Sequence, residues 1–414
     1  MWDDRKAAVI SRLLAPYTVR QFHAMYYERA PLHIKRNDAG YYARYFSLRE
    51  LERVLYGVEM PARDLRLSKD GSDIRRAQFS RKVQRVDDAT GELQWTYLVD
   101  PYRVSALFAQ GCTIVSDDLR PYSAHVARLL RSLEMFFKHK VFAGMFLTPP
   151  HSQGFAQHYD IVDSFILQVE GSKHWTVRAP AIDLPLEQQK HDKKLHKPGE
   201  ILFDGVLCAG DFLYLPRGTF HEARAGDHDY SLHLALGLAP IRWNAVVERI
   251  LTDAAQEHAA LRRSTAAPLD RELLVDIVTS ALSEKNLNRA VAAMESQFAG
   301  RHRGALDGQL RQILAADELS DESIVSLRDD TLYDMAVTEN SVILKSFDNE
   351  MVLPPAAASI IHALEATTFL RARDLAEHAG ALSILTRLIR AGLVIQHDSA
   401  VPAISRLAVT PLPL

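Results

Sequence analysis

His158 and Asp160 stand two residues apart in the stretch His158-Tyr159-Asp160, and a second histidine, His221, follows 63 residues later (221 − 158), just after Pro216-Arg217-Gly218. On an extended strand, residues two apart project from the same face, so an imidazole and a carboxylate converge on one point. The run Phe212 to Leu215 reads as a strand that can return His221 beside them in a barrel. Two imidazoles and one carboxylate fill one face of an octahedron and leave three positions open, a ligand set suited to non-haem ferrous iron and oxygen chemistry. Such a tripeptide is common on protein surfaces, so its surroundings decide.

Those surroundings are β-rich. From 95 to 240, short apolar runs alternate with turn signals: Cys112 to Val115, Ser164 to Val169, Trp175 to Arg178, Phe212 to Leu215 and Ser231 to Leu236. The spacing predicts an all-β barrel or jelly roll. Glu170-Gly171-Ser172 reads as a hairpin connection, and Val126 to Phe137 as a helix packed outside the barrel. Residues 1 to about 90 read as an entry layer, helical at Lys6 to Leu14 and Leu48 to Tyr56 and extended at Leu32 to Ile34. After Pro240 the texture is helical, with one stripe at Val246, Val247, Ile250, Leu251 and Ala254 and another at Leu273, Leu274, Ile277, Val278 and Leu282. Toward the C-terminus, helices over Ala356 to Glu365 and Leu382 to Arg390, a helix-ending Gly392 and a strand over Leu393 to Ile395 outline a winged helix. The expected division is 1–240 for entry layer plus barrel (core about 95–240), 241–324 for a helical region and 325–414 for the winged-helix-like part.

The chain has 414 residues, with 49 Lys and Arg against 52 Asp and Glu, a net charge of −3 that excludes a generally basic nucleic-acid coat. Cys112 and Cys208 lack a CxxC partner, which excludes a zinc ribbon and favours a reducing compartment. No apolar leader follows Met1-Trp2-Asp3-Asp4 and no run approaches the roughly 18 apolar residues of a membrane span, so a cytoplasmic protein is expected. Between Arg63 and Arg85, eight basic residues face three aspartates. Beyond Phe79 no aromatics interleave there, so a solvated loop or strand pair is expected rather than an RNA or ribosome contact. Between Met351 and Leu414, five arginines including Arg406 face four acids including Asp398, too small an excess to bind DNA phosphates.

The run Leu147-Thr148-Pro149-Pro150-His151-Ser152-Gln153-Gly154-Phe155 leads into His158-Tyr159-Asp160, and Phe165 to Gln168, Gly171, Lys173 and Trp175 follow. With Ala209-Gly210-Asp211-Phe212-Leu213-Tyr214-Leu215-Pro216-Arg217-Gly218-Thr219-Phe220-His221 and Ser231-Leu232-His233-Leu234, the pattern resembles the JmjC-type 2-oxoglutarate oxygenases of the cupin superfamily, and among them the ribosomal oxygenases. The resemblance implies a mainly β fold with helices: a double-stranded β-helix (jelly-roll or cupin) barrel, then a helical dimerisation region and a C-terminal winged helix. It also implies Fe(II), 2-oxoglutarate and O2 as cofactors and a homodimer. His158, Asp160 and His221 match the iron ligands, and Lys173 matches the residue that pairs with the distal carboxylate of 2-oxoglutarate. An ammonium just past a hairpin beside the metal strand can neutralise a dicarboxylate where an unpaired charge would be costly. Ser231, which opens the closing strand, and His233 are further candidate cosubstrate contacts. The implied substrate is a protein or peptide side chain, a ribosomal protein at arginine or histidine. A peptide of a biosynthetic pathway, an RNA base, and a non-catalytic cupin scaffold with a binding winged helix are the alternatives.

Three positions depart from the pattern. Gly144 and Phe146 stand where an asparagine and a tyrosine are common, which removes two possible hydrogen bonds, each worth about 1 kcal/mol. Ala209 replaces a proline without evident consequence. His191 and His196 lie in a charged stretch that reads as a solvated loop, His174 as a packing histidine and Cys208 as core. Asp163 reads either as a structural carboxylate or as a group that orients a cationic side chain.

Overall fold

The computed structural model describes residues 7–397 except 88, 228, 269, 302–305, 307, 329–330 and 348, so Lys6, Asp398 and Arg406 lie outside the described residues. The chain divides into two compact units, Met1–Ala290 and Val291–Leu414.

In the first unit the strands are β1 (Leu32–Ile34), β2 (Arg66–Lys69), β3 (Ser72–Asp73), β4 (Ser80–Val86), β5 (Leu93–Val99), β6 (Thr113–Ser116), β7 (Lys140–Thr148), β8 (Asp163–Arg178), β9 (Ile201–Cys208), β10 (Phe212–Leu215), β11 (Phe220–Ala225) and β12 (Ser231–Ala239). Its helices are α1 (Ala8–Leu14), α2 (Val19–Met25), α3 (Leu48–Gly57), α4 (Pro101–Ala109), α5 (Ala124–Phe137), α6 (Trp243–Glu257) and α7 (Arg271–Ala281), and the division falls within α8 (Glu284–Arg301). One antiparallel sheet runs β1-β10-β8-β12-β7-β6-β2-β3, and β9 and β11 flank the second half of β8. The entry layer belongs to this sheet, since β1 pairs with β10 and β2 with β6.

The expected hairpin at Glu170-Gly171-Ser172 is not formed. β8 is a single strand of 16 residues that passes from one sheet to the other: Ile166 lies opposite Ala235 of β12, and Trp175 opposite Ala223 of β11 and Gly205 of β9. The crossing falls at Gly171, whose φ is +64° and where an added Cβ would lie 1.8 Å from the Tyr230 carbonyl oxygen. Only glycine fits both the left-handed backbone and the close approach. The sequence signal of a turn is in truth the signal of a strand changing sheets.

Helix α5 starts at Ser123, whose hydroxyl accepts from the Val126 N–H, and ends at Lys138 in the left-handed region. It buries Leu129, Leu130, Leu133 and Phe137 in a core shared with Phe165, Leu234 and Leu236. Burying each such side chain stabilises the fold by about 1.5–3 kcal/mol. This packing clamps β8 and β12, the strands that carry Lys173 and His233. Arg36 ties the entry layer down, donating to the Leu13 and Ala15 carbonyls at 2.7 and 2.8 Å while its N–H reaches Asp211 at 2.7 Å.

The second unit holds α9 (Gln309–Ala315), α10 (Ala356–Ala366) and α11 (Ala381–Arg390), with β13 (Ile324–Leu327), β14 (Asp334–Val337), β15 (Val342–Ser346), β16 (Asn349–Leu353), β17 (Leu370–Arg371) and β18 (Val394–His397). Two small sheets form, β17-β13-β18 and β14-β15-β16. Ile360, Ile361 and Leu364 of α10 meet Ile384, Leu385 and Leu388 of α11 in their core. Gly392 follows α11 with φ +81°, the conformation that ends a helix and turns the chain into β18. Among the described residues no helix is long and apolar enough to cross a membrane.

Candidate functional site

His158 is held by a pair of backbone bonds to His221, the second residue of β11: the His158 N–H donates to the His221 carbonyl at 3.1 Å, and the His221 N–H returns the bond at 2.8 Å. The expectation that His158-Tyr159-Asp160 opens a strand is corrected, because β8 starts only at Asp163 and the tripeptide is irregular chain pinned by that bridge. The two imidazole centroids nevertheless lie 4.5 Å apart.

Nδ1 of His158 lies 2.9 Å from the Ala156 carbonyl, and Nδ1 of His221 lies 3.1 Å from the Thr219 carbonyl. A carbonyl can only accept, so each Nδ1 carries the proton and each Nε2 presents its lone pair. Both Nε2 atoms face Asp160, at 3.9 Å from Oδ1 and 3.7 Å from Oδ2. The three donor atoms lie within 4.8 Å of one another, so they converge on one point, and small side-chain rotations would bring all three onto one ion. Burial, then the neighbouring His158, lowers the His221 pKa to about 4, which keeps it in the neutral form that binds metal. The donor set fits a divalent iron, with carbonyl-anchored imidazoles as its supporting shell.

The cluster borders a cavity of about 380 Å³. Lys173 reaches into the same cavity, 4% exposed, and its Nζ donates to Thr148 Oγ1 at 3.0 Å. No carboxylate pairs with it among the described residues, and burial pushes its pKa down to about 7. A buried ammonium with one hydroxyl for company is a site for an incoming anion. His233 lines the cavity from β12, stacked on Phe146 at 4.8 Å, and its buried Nδ1 has no hydrogen-bond partner among the described residues. Burial, then Lys173 and His221, hold its pKa well below the ordinary imidazole value. These groups fit a dicarboxylate.

Gly144 and Phe146 both line the cavity, and a Cβ on Gly144 would meet the Phe146 ring at 3.2 Å. The two departures are therefore coupled: the smaller residue makes room for the ring that covers it. Ser231 is fully buried but does not line the cavity; its Oγ accepts from Gln168 Nε2 at 3.0 Å. Asp163 accepts from Arg217 Nη1 and Arg217 N–H, both at 3.1 Å, so it does orient a cationic side chain, one belonging to the fold. Burial raises the Asp163 pKa to about 6.

Several residues of the site carried no local signal in the sequence: Thr148 as the partner of Lys173, Trp175 on the wall beside His221, and Arg66, Asp117 and Glu222 in the lining. Two other expectations are corrected. His174 is half-exposed and pairs with Asp204 at 2.8 Å, because it alternates with the inward Lys173 on β8. Cys208 is exposed at the end of β9. His191 and His196 do lie on a largely exposed loop between β8 and β9, where His196 Nδ1 is 3.0 Å from the Tyr159 hydroxyl and the His191 ring meets Tyr159 edge-on at 5.3 Å.

An antiparallel barrel with two histidines and an aspartate beside a buried lysine defines the class of iron oxygenases that take a keto-diacid as cosubstrate. Residues 120–246 match the JmjC domain model. That stretch resembles the JmjC domain, the domain of oxygenases that use Fe(II), 2-oxoglutarate and O2. Ribosomal oxygenase 1 of Gallus gallus is 32% identical over 256 residues, covering 61% of this chain and 40% of that protein. Ribosomal oxygenase 2 of Mus musculus is 29% identical over 307 residues, covering 72% and 62%. The chain thus spans less than two thirds of the length of these relatives. The Escherichia coli ribosomal oxygenase YcfD, solved with cobalt and 2-oxoglutarate, shares the fold at 16% identity and a TM-score of 0.52, over 92% of this chain and 99% of that one.

Proposed function

We propose that this protein is an Fe(II)- and 2-oxoglutarate-dependent hydroxylase of a protein or peptide side chain, with a ribosomal protein arginine or histidine as the favoured target. The observation that carries the reading is the facial His158, Asp160 and His221 cluster opening on the same cavity as the unpaired Lys173. When bound, the iron and cosubstrate supply oxygen activation coupled to decarboxylation of 2-oxoglutarate to succinate. The chain supplies the geometry. The Ala156 and Thr219 carbonyls fix both imidazoles with Nε2 inward, Lys173 holds the far carboxylate, and Phe146 and Trp175 exclude water. Asp117 is paired with Arg66 at 3.5 Å, so Glu222 is the lining carboxylate that remains to meet a cationic or imidazole side chain.

In this reading the protein is cytoplasmic and works as a homodimer, with domains at 1–240, 241–324 and 325–414, the last a winged helix for packing or protein contact. Apolar side chains left in solvent on α6, α7 and α9 support self-association, among them Trp243, Val275, Leu310 and Leu314. Sedimentation at micromolar concentration is expected to give twice 46.5 kDa, and a single species at 46.5 kDa would remove the dimer. The hydroxylation is tested by incubating ribosomes, protein and RNA together, with the iron-loaded chain and 2-oxoglutarate. Mass spectrometry is expected to find one added oxygen on an arginine or histidine, absent with Asp160→Ala; oxygen found only on a nucleoside would overturn the protein-substrate reading.

A further inference from the structure

Among the described residues, strands β4 and β5 pair with each other and with no other strand, forming a ribbon beside the main sheet. Their register sets Lys82 opposite Tyr97, Gln84 opposite Trp95 and Val86 opposite Leu93. With a period of two, these six side chains share one face. All six are exposed, Leu93 at 61%, Trp95 at 57% and Tyr97 at 53%. The Lys82 Nζ lies 4.3 Å from the centre of the Trp95 ring, so the cation and the aromatic already occupy one patch. On the opposite face Arg81 and Arg85 share the single carboxylate of Glu59, which leaves one positive charge unneutralised. Arg75 and Arg76 are exposed just upstream, and from 75 to 85 there are five basic residues and no acid.

The basic segment lacks interleaved aromatics only along the chain; β5 supplies them across the ribbon. We propose that this ribbon binds single-stranded nucleic acid, with bases stacked on Trp95 and Tyr97 and phosphates held by Lys82 and, beyond the ribbon's end, by the exposed Arg75 and Arg76. Two residues along a strand advance about 7 Å, so each ring can take a separate base of an extended strand. Stacking of this kind tolerates any base, and the cations track the backbone. A duplex keeps its bases buried and cannot use the rings. The chain as a whole carries −3, so attraction to a polyanion depends on this local strip. The ribbon's role does not depend on the oxygenase reading.

The test is fluorescence anisotropy of a labelled short oligouridylate, and in parallel an oligodeoxythymidylate, titrated with the full chain. The parent is expected to bind at least one of them, with an affinity that falls steeply as salt rises. The Trp95→Ala/Tyr97→Ala double variant is expected to lose at least about ten-fold, Lys82→Glu to lose affinity and salt sensitivity together, and a duplex of equal length to bind far more weakly. Circular dichroism and 2-oxoglutarate binding of the variants should match the parent, since none of the three residues lines the cavity. Ring-dependent binding of either oligonucleotide supports the proposal and identifies the sugar preferred. It is overturned if the parent binds neither, if the double variant binds like the parent, or if the double variant loses self-association in place of oligonucleotide binding.

Discussion

Lys173 on β8 and Thr148 at the end of β7 meet at 3.0 Å inside the cavity, and that hydroxyl is the only hydrogen-bond partner given to the ammonium among the described residues. Thr148 is a neutral partner, so the charge is solvated without being cancelled, and an arriving carboxylate completes the pair. Replacing Lys173 with methionine keeps the volume and removes the charge. The 2-oxoglutarate affinity is expected to fall about ten- to a hundred-fold, the worth of a charge-assisted bond, with iron affinity little changed. Equal calorimetric affinity in variant and parent would place the anion elsewhere.

The depressed pKa of this lysine gives a pH signature. In the folded, empty site it titrates at about 7, against 10.5 for the ordinary side chain, so between those values the unfolded chain holds a proton that the folded chain has released. Stability from this group therefore rises with pH from about 7 to about 10 in the absence of cosubstrate. Binding of 2-oxoglutarate restores the charge, so it should take up close to one proton at pH 8 and almost none at pH 6. Calorimetry in buffers of different ionisation enthalpy measures this directly, and uptake that persists in Lys173→Met would assign the proton to another group.

Phe146→Tyr returns a hydroxyl to the cavity wall without changing the ring that stacks on His233. The 2-oxoglutarate affinity is expected to rise by roughly five-fold, the value of one bond near 1 kcal/mol, with an unchanged melting temperature. No change in affinity would show that the cosubstrate does not reach this wall.

Gly171→Ala tests the crossing strand. A methyl group there meets the Tyr230 carbonyl oxygen at 1.8 Å on a backbone with φ +64°, so destabilisation of more than about 2 kcal/mol is expected, read from urea unfolding. Parent-like stability would mean that β8 does not change sheets at this residue.

The metal cluster was legible because its determinants are local: the histidine and aspartate lie in one tripeptide, and the glycine-aspartate turn at Gly210-Asp211 announces the strand before His221. The barrel class was legible from the spacing of β-rich runs. What escaped reading depends on contacts distant in the chain. Gly171 looks like turn punctuation until the Tyr230 carbonyl is seen to pass where its side chain would be. Thr148 and Lys173 are 25 residues apart and meet only because β7 and β8 both pair with β12. His174 and Cys208 were misplaced because alternation on a strand assigns inside and outside only once the inward residue is known, here Lys173. The aromatics that complete the basic segment lie on the next strand, beyond any window drawn on residues 63–85.

Whether one cavity holds a metal and 2-oxoglutarate together is decided by calorimetric titration of 2-oxoglutarate into the full chain with and without Mn(II), a redox-inert substitute for iron. One 2-oxoglutarate per chain is expected in the presence of metal, much weaker binding without it, and loss of the metal-dependent part in His158→Ala, Asp160→Ala and His221→Ala. Binding of equal strength with and without metal, or metal-dependent binding that survives Asp160→Ala, would contradict a shared cavity.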